Sequence, residues 1–154
     1  MLKPVILTLV GYYLPGYKSG GPVRTIANMV ARLGDEFDFR IVTRDRDFGD
    51  SEPYPGIMTN QWNQVGKAQV YYAPLQQLSI PRLEKLLRDT PFDILYLNSF
   101  FSYRFTIQPL ILRRLGRMPR QPVILAPRGE FSQGALELKR WKKALFIRVA
   151  KAFG

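Results

Sequence analysis

The chain has 154 residues, of which 46% are hydrophobic, a length and composition that suit one folded domain and exclude a disordered chain. It contains no cysteine and no histidine, which excludes disulfides, thiolate zinc sites, cysteine nucleophiles and Ser-His-Asp triads. The net charge of +11 predicts attraction to phosphate-rich partners, namely nucleotides, nucleic acid or an anionic membrane surface.

The first predicted element is a strand over 4–10, a short apolar run typical of a central parallel strand. Apolar residues at helical spacing follow from Thr25 to Leu33. Between them, Gly20-Gly21-Pro22 offers close backbone approach to a ligand and a proline suited to the first helical position. Exposed amides and the helix dipole would favour a phosphate there, although the glycines are equally compatible with a plain turn. Neither G-x-G-x-x-G nor a P-loop motif occurs, which weakens a dinucleotide or P-loop interpretation.

The rest of the chain alternates strands with helices. The predicted strands cover 37–43, 68–73, 93–98 and 122–126, and the predicted helices lie near 79–88, at 105–115 and from about 133 to 153. This alternation predicts a Rossmann-like parallel sheet with helices on both faces, the first strand central, and strand order 3-2-1-4-5. Residues 44–56 are polar and turn-rich, and form either a functional surface loop or a mobile connection. No apolar run approaches the roughly 18 residues that span a bilayer.

Ligands of such sheets bind at the carboxyl ends of the strands. Those ends are predicted at 11–21, 43–46, 98–101 and 128–129. Arg128 follows a strand and precedes a glycine, so it either clamps a phosphate or sugar hydroxyl or is a surface arginine in a turn.

Other polar residues at the strand ends carry weaker signals. Asn98 ends an apolar strand, where a buried amide needs partners, so a structural cap and a substrate contact are both open. Carboxylates that are candidate bases are Asp45, Asp47, Asp50 and Glu130, but nothing in their spacing pairs them.

The last predicted helix is strongly basic, with six Lys or Arg and one Glu between residues 137 and 151. Its apolar residues cluster on one side. This pattern is compatible with a sheet-packing helix that has a solvated basic face, with a membrane-surface helix, or with nucleic-acid binding. The residues expected to contact an anionic surface are Lys139, Arg140, Lys143 and Lys151.

Five segments of the chain carry a resemblance when they are taken in order. They are 15–24 with its Gly-Gly-Pro, Trp62-Asn-Gln-Val-Gly66, Asp93-Ile-Leu-Tyr-Leu-Asn-Ser-Phe-Phe101, Ala126-Pro-Arg-Gly-Glu-Phe131 and the closing segment 135–146. Together they resemble the amino-terminal half of family 4 retaining glycosyltransferases of the GT-B fold. Each segment alone is weakly specific, and the resemblance depends on their order along essentially the whole chain.

The resemblance implies two Rossmann-like domains that face a cleft, the amino-terminal one on the acceptor side and the carboxy-terminal one holding a nucleotide-sugar. Residues 1–154 would then be a truncated acceptor-side domain, with the donor domain absent, and inactive alone. The complete enzyme would move a sugar from a nucleotide-sugar to a glycan or lipid-linked acceptor in cell-envelope polysaccharide synthesis, without a metal or other cofactor. It would be cytoplasmic and peripheral at the inner face of the membrane.

The resemblance also implies roles for individual residues. Asn98 and Arg128 stand where many members carry histidines and are the expected catalytic residues. The expected donor-phosphate loop consists of Gly20, Gly21, Pro22 and Arg24. The expected acceptor-side residues are Ser99, Phe100, Gly129 and Glu130. The alternative function is a non-enzymatic basic α/β module that binds nucleic acid or anionic surfaces, although no RRM, KH or helix-turn-helix pattern occurs.

Overall fold

The computed structural model describes residues 2–130 together with Ile147 and Arg148. Residues 2–130 contain six strands: β1 (Val5–Leu9), β2 (Asp38–Arg44), β3 (Trp62–Val65), β4 (Ala68–Ala73), β5 (Ile94–Asn98) and β6 (Val123–Ala126). They also contain the helices α1 (Gly21–Leu33), α2 (Ile80–Asp89) and α3 (Gln108–Arg114), with a π-helical turn at Tyr103–Ile107 before α3. The basic helix predicted over 133–153 lies outside the described residues, except for Ile147 and Arg148, which have helical backbone.

The six strands form one mixed sheet in the order β3-β4-β2-β1-β5-β6. This order differs from the predicted 3-2-1-4-5 because β3, which was not predicted, pairs antiparallel with β4 at the edge. The other neighbouring pairs are parallel. β3 has four residues, two of them Asn63 and Gln64, so it lacks the apolar run that marks the other strands. Its turn to β4 is the two-residue Gly66-Lys67, with Gly66 at a φ of 58°, a glycine-first hairpin signal.

Helices cover both faces of the sheet. Leu7 and Leu9 of β1 belong to the core cluster that includes residues of α2 and α3. Ile6 and Val10 pack into the cluster that contains Ile26 and Val30 of α1. Because alternate residues of a strand point to opposite faces, β1 is apolar at nearly every position, as a strand buried on both sides requires. Full burial of each such side chain contributes about 1.5–3 kcal/mol.

The predicted helix at 105–115 is shorter and less regular than expected. Pro109 stands in the first turn of α3, the part of a helix in which proline is best tolerated. A π-helical turn occupies the preceding residues, and Ser102 caps it by accepting a hydrogen bond from the Phe105 N–H at 3.4 Å. Within the described residues, no helix is both long and apolar enough to cross a membrane.

The connections leave β1 and β5 in opposite directions along the sheet. β1 continues through α1 to β2 on one side, and β5 continues through α3 to β6 on the other. β1 and β5 are themselves parallel neighbours. Their carboxyl ends therefore form a topological switch point, the place where open α/β sheets hold ligands.

Candidate ligand-binding site

A cleft of about 300 Å³ lies at this switch point. Four strand ends supply its walls, together with the segment that leads into α1. The polar and glycine positions in the lining are Gly11, Tyr12, Ser19, Arg44, Asn98, Ser99, Ser102, Arg128 and Glu130. The cleft therefore brings together residues as far apart along the chain as Val10 and Glu130.

Arg128 and Asn98 form a bonded pair in this cleft. The Nε and Nη2 groups of Arg128 donate to Oδ1 of Asn98 at 3.0 and 2.6 Å. Nη2 also donates to the Tyr96 hydroxyl at 2.8 Å, and the guanidinium carbon lies 5.8 Å from the centre of the Tyr96 ring. The guanidinium is thus held in one orientation, as recognition of a planar or multidentate group requires.

The side-chain N–H donor of Asn98 makes no hydrogen bond to any described residue. The residue is 1% exposed, and its buried Nδ2 has no hydrogen-bond partner among the described residues. The contacts from Arg128 fix which end of the amide is the oxygen, so Nδ2 is the free end. A buried unsatisfied donor costs about 1–3 kcal/mol. A hydroxyl or phosphate oxygen of a ligand would satisfy it.

Two residues of the cleft have unfavourable backbone conformations. Ser99 has a φ of 73° and Arg128 a φ of 55°, in the left-handed region that glycine tolerates and other residues rarely adopt. Such conformations cost on the order of 1 kcal/mol or more each and concentrate at functional sites. Ser99 is the first residue after β5 and Arg128 the second after β6, so they turn the chain at the point where both strands meet the cleft.

Glu130 joins the ends of β5 and β6. Its carboxylate accepts hydrogen bonds from the Ser99 hydroxyl and from the Phe100 N–H, each at 2.5 Å. Both oxygens are therefore already hydrogen-bonded. The geometry gives Glu130 a positioning role at the cleft wall rather than that of a free base.

The other candidate bases hold the 44–56 loop in place. Asp45 accepts from Nε and Nη2 of Arg46, both at 2.9 Å, and Asp50 is ion-paired with Lys18. Asp47 is 4% exposed and accepts from the N–H groups of Tyr17, Lys18 and Phe48 at 2.8, 3.1 and 2.8 Å. None of the three aspartates lines the cleft. Asp47 and Asp50 bind the 44–56 loop to the segment that precedes α1, whereas the Asp45 contact lies within the loop.

The Asp47 contacts predict a pH-dependent stability. Burial alone would raise the pKa of this carboxyl, but the three N–H donors and the Lys18 charge outweigh burial and hold the pKa below its ordinary value. The unfolded chain, with a carboxyl pKa of about 3.9, then binds the proton more tightly than the folded chain. Stability from this group is present above that value and is lost as the pH falls through the lower folded pKa.

Asp47→Asn is therefore expected to lower the free energy of unfolding at pH 7 by about 1–3 kcal/mol. It should also flatten the fall in stability below pH 4. Urea unfolding between pH 2.5 and 7 measures both effects, and Glu52→Gln, an exposed carboxylate of the same loop, is the control. Equal acid sensitivity of the wild type and Asp47→Asn would contradict the assignment.

The glycine turn borders the cleft. Gly20 has a φ of 74° and precedes the first residue of α1, Gly21. A Cβ at either position would meet no atom within 4 Å. Gly20 and Gly21 themselves do not line the cleft, but Ser19 and Pro22 on either side of them do, so the α1 N-terminus adjoins it.

The remaining predicted residues are placed as follows. Arg24, Phe100 and Gly129 do not line the cleft; Arg24 and Gly129 are exposed, and Phe100 is half-buried and packs edge-on against Phe101 at 5.2 Å. Lys139, Arg140, Lys143 and Lys151 lie outside the described residues.

Four polar residues of the lining were not singled out from the sequence: Tyr12, Ser19, Arg44 and Ser102. The first three lie within the predicted strand ends 11–21 and 43–46, and Ser102 lies just beyond 98–101. Arg44 ends β2 in the way that Arg128 follows β6, so its position at a strand end was an available signal. Tyr12 and Ser19 lie in a segment between β1 and α1 that has no periodic pattern. Their exposure to the cleft depends on how this segment folds over the sheet.

Comparisons of the chain with protein-family models, with curated proteins and with solved structures give no match.

Proposed function

We propose that the chain is the acceptor-side domain of a retaining glycosyltransferase that moves a sugar from a nucleotide-sugar to a glycan or lipid-linked acceptor. The observation that carries this proposal is the Asn98–Arg128 pair at the switch point, with a buried amide donor that lacks a partner among the described residues. A sugar presents several hydroxyls in a fixed arrangement, each able to accept from an amide or guanidinium N–H. A rigid pair of such donors matches this chemistry.

The charge of the cleft supports a phosphorylated ligand. Its lining contains two arginines, Arg44 and Arg128, and one carboxylate, Glu130, which leaves one net positive charge. The N-terminus of α1 adjoins the same cleft and has no acidic residue in its first turn. A helix N-terminus and arginine side chains both favour phosphate oxygens. An anionic group, such as a phosphate of the donor or an anion of the acceptor, fits this environment.

The carboxylates also suit the proposed reaction. Retaining transfer in the resembled family is thought to depend on stabilising the leaving phosphate rather than on a separate base. Glu130 is the one carboxylate of the described residues in the cleft lining, and both its oxygens accept hydrogen bonds from the β5 end. Asp47, outside the lining, is held by backbone N–H groups. In this proposal, Arg128 and Asn98 orient the sugar hydroxyls, and the 44–56 loop helps to select the acceptor.

The test is transfer of a labelled sugar by the protein expressed from its complete gene. A panel of uridine, guanosine and thymidine diphosphate sugars serves as donor, with glycans and membrane lipid extracts as acceptors. Transfer from one donor class is the expected result. Failure of every donor, with tight and salt-sensitive binding to duplex DNA or anionic vesicles, would favour the non-enzymatic basic module instead.

Gly21→Val tests the glycine turn in the same assay. The new side chain meets no protein atom near its Cβ, so the variant is expected to fold. It would obstruct close approach of a ligand to the backbone, and we expect transfer to fall by about tenfold or more, which is roughly 1.4 kcal/mol. Asn28→Val, which places the same side chain at an exposed position of α1, is the control. Unchanged kinetics in a folded Gly21→Val protein would show that the glycine turn has no role in transfer.

A further inference from the structure

Arg44 reaches the cleft from the opposite side of β1 to Asn98, since the strand order there is β2-β1-β5. Its Nη1 donates to the Tyr12 hydroxyl at 2.7 Å, and its guanidinium carbon stands 4.7 Å from the centre of the Tyr12 ring. Tyr12 is itself in edge-on contact with Phe48, with ring centres 5.9 Å apart. These contacts hold the guanidinium in a defined orientation without neutralising it.

No carboxylate of the described residues is ion-paired with Arg44. The neighbouring Asp45 is ion-paired with Arg46. Asp47 accepts hydrogen bonds from three backbone N–H groups. The Nε atom of Arg44 is buried and has no hydrogen-bond partner in the described part of the chain. Arg44 as a whole is half-buried, but a buried N–H donor that lacks a partner is costly, so an anion beside the guanidinium would be stabilising.

Ser19 has a second unpartnered donor in the same cleft. Its Oγ is buried and makes no hydrogen bond to any described residue. Ser19 and Arg44 both line the cleft, next to Pro22 in the first turn of α1. A hydroxyl, a guanidinium N–H and a helix N-terminus together resemble the donor sets that hold phosphate or carboxylate groups.

Arg44 and Arg128 differ in how far their hydrogen bonds are already used. Arg128 donates three hydrogen bonds to Asn98 and Tyr96, whereas, within the described part of the chain, the Arg44 side chain donates one, to Tyr12. Their strands are separated by β1 and β5, so the strand axes lie roughly 14 Å apart at about 4.8 Å per strand. The two groups enter the cleft from opposite sides. A ligand pair with hydroxyls on one side and an anion on the other fits this layout.

We propose that Arg44 and Ser19 form an anion subsite that binds the phosphate or carboxylate of an acidic acceptor, such as a sugar phosphate or a uronic acid residue. The inference rests on the proposed function, in which the Asn98–Arg128 side takes the donor sugar. Tyr12 and Phe48, the latter 61% exposed, supply aromatic surface beside the guanidinium on which the acceptor ring packs.

Calorimetric binding to the protein expressed from its complete gene tests the subsite. The probes are glucose 1-phosphate, glucuronate, inorganic phosphate and neutral glucose. We expect at least one of the two anionic sugars to bind ten times or more tightly than glucose. Whichever of glucose 1-phosphate and glucuronate binds more tightly identifies the preferred anion. Comparison with inorganic phosphate shows how much the sugar ring adds to the affinity.

Variants then locate the binding. Arg44→Gln is expected to weaken the binding of the anionic sugars about 10- to 100-fold and to leave glucose binding unchanged. Ser19→Ala, which leaves the Tyr12 contact intact, should weaken them three- to tenfold and guards against misfolding of the Arg44 variant. Arg40→Gln removes another β2 arginine, paired with Asp38 outside the cleft, and should have no effect.

Equal binding of glucose and both anionic sugars, or wild-type affinity in both Arg44→Gln and Ser19→Ala, would overturn the subsite. The binding result is independent of the transfer assay. Arg44-dependent binding of an anionic sugar, without transfer from any nucleotide-sugar, would retain the subsite and refute the glycosyltransferase. Transfer to a neutral acceptor, with a KM that Arg44→Gln does not change, would support the glycosyltransferase and refute the anion subsite.

Discussion

Arg128→Met is expected to lower kcat/KM for sugar transfer by roughly 10²- to 10³-fold. The variant loses the three hydrogen bonds that fix the guanidinium against Asn98 and Tyr96, and with them the charge that faces the ligand. Arg128→Lys restores the charge but not the planar fork, so only partial recovery is expected. Initial rates across a range of donor concentrations measure the effect.

The matched control is Arg120→Met, an exposed arginine that precedes β6 and does not line the cleft. Asn98→Asp provides a second, finer test. It keeps an oxygen for Arg128 to donate to and replaces the unpartnered Nδ2 donor with an acceptor. If Nδ2 binds a sugar hydroxyl, this variant loses activity while its fold is retained. Wild-type kinetics in Arg128→Met would show that the pair has no part in transfer.

Gly16→Ala is expected to lower the free energy of unfolding by about 2–3 kcal/mol, a large effect for one methyl group. A Cβ at this position would stand 2.2 Å from the Tyr54 hydroxyl and 3.0 Å from both Asp47 Cγ and the Tyr13 carbonyl oxygen. The backbone atoms and the Asp47 contacts cannot move without separating the 44–56 loop from the segment before α1. Urea unfolding at pH 7 measures the loss.

Gly21→Ala is the control for this effect. A Cβ at Gly21 meets nothing within 4 Å, and the residue begins a helix, where alanine is favoured over glycine by up to about 1 kcal/mol. The two glycine-to-alanine changes should therefore have opposite signs or very different sizes. Equal effects would mean that the contact around Gly16 is more compliant than its distances indicate.

The contacts near Gly16 also position one wall of the cleft. The Tyr72 hydroxyl donates to the Leu14 carbonyl oxygen at 2.6 Å, and burial raises the pKa of Tyr72 to about 12. This hydroxyl therefore stays protonated across the neutral range. The segment between β1 and α1, which carries Tyr12 and Ser19, is thereby joined both to β4 and to the 44–56 loop.

The sequence was sufficient to predict the parallel strands and the helices α1 and α2, because apolar periodicity is a local property. β1 is apolar along its length, and α2 repeats its buried leucines, Leu83 and Leu87, at helical spacing. It also predicted that Asn98 and Arg128 stand at strand ends, where a parallel sheet must collect them. It did not predict β3, because a four-residue strand with two amide side chains has no distinct apolar pattern and depends on its partner β4.

The division of roles among charged residues was decided by tertiary structure alone. Arg44 and Asp47 lie three positions apart in one polar segment, and nothing in their local sequence separates them. Asp47 is satisfied by the N–H groups of Tyr17 and Lys18, about 30 positions away, while Arg44 keeps a buried Nε that no described residue contacts by a hydrogen bond. Which charge is neutralised and which remains available to a ligand depends on contacts between distant segments, and these exist only once the chain has folded.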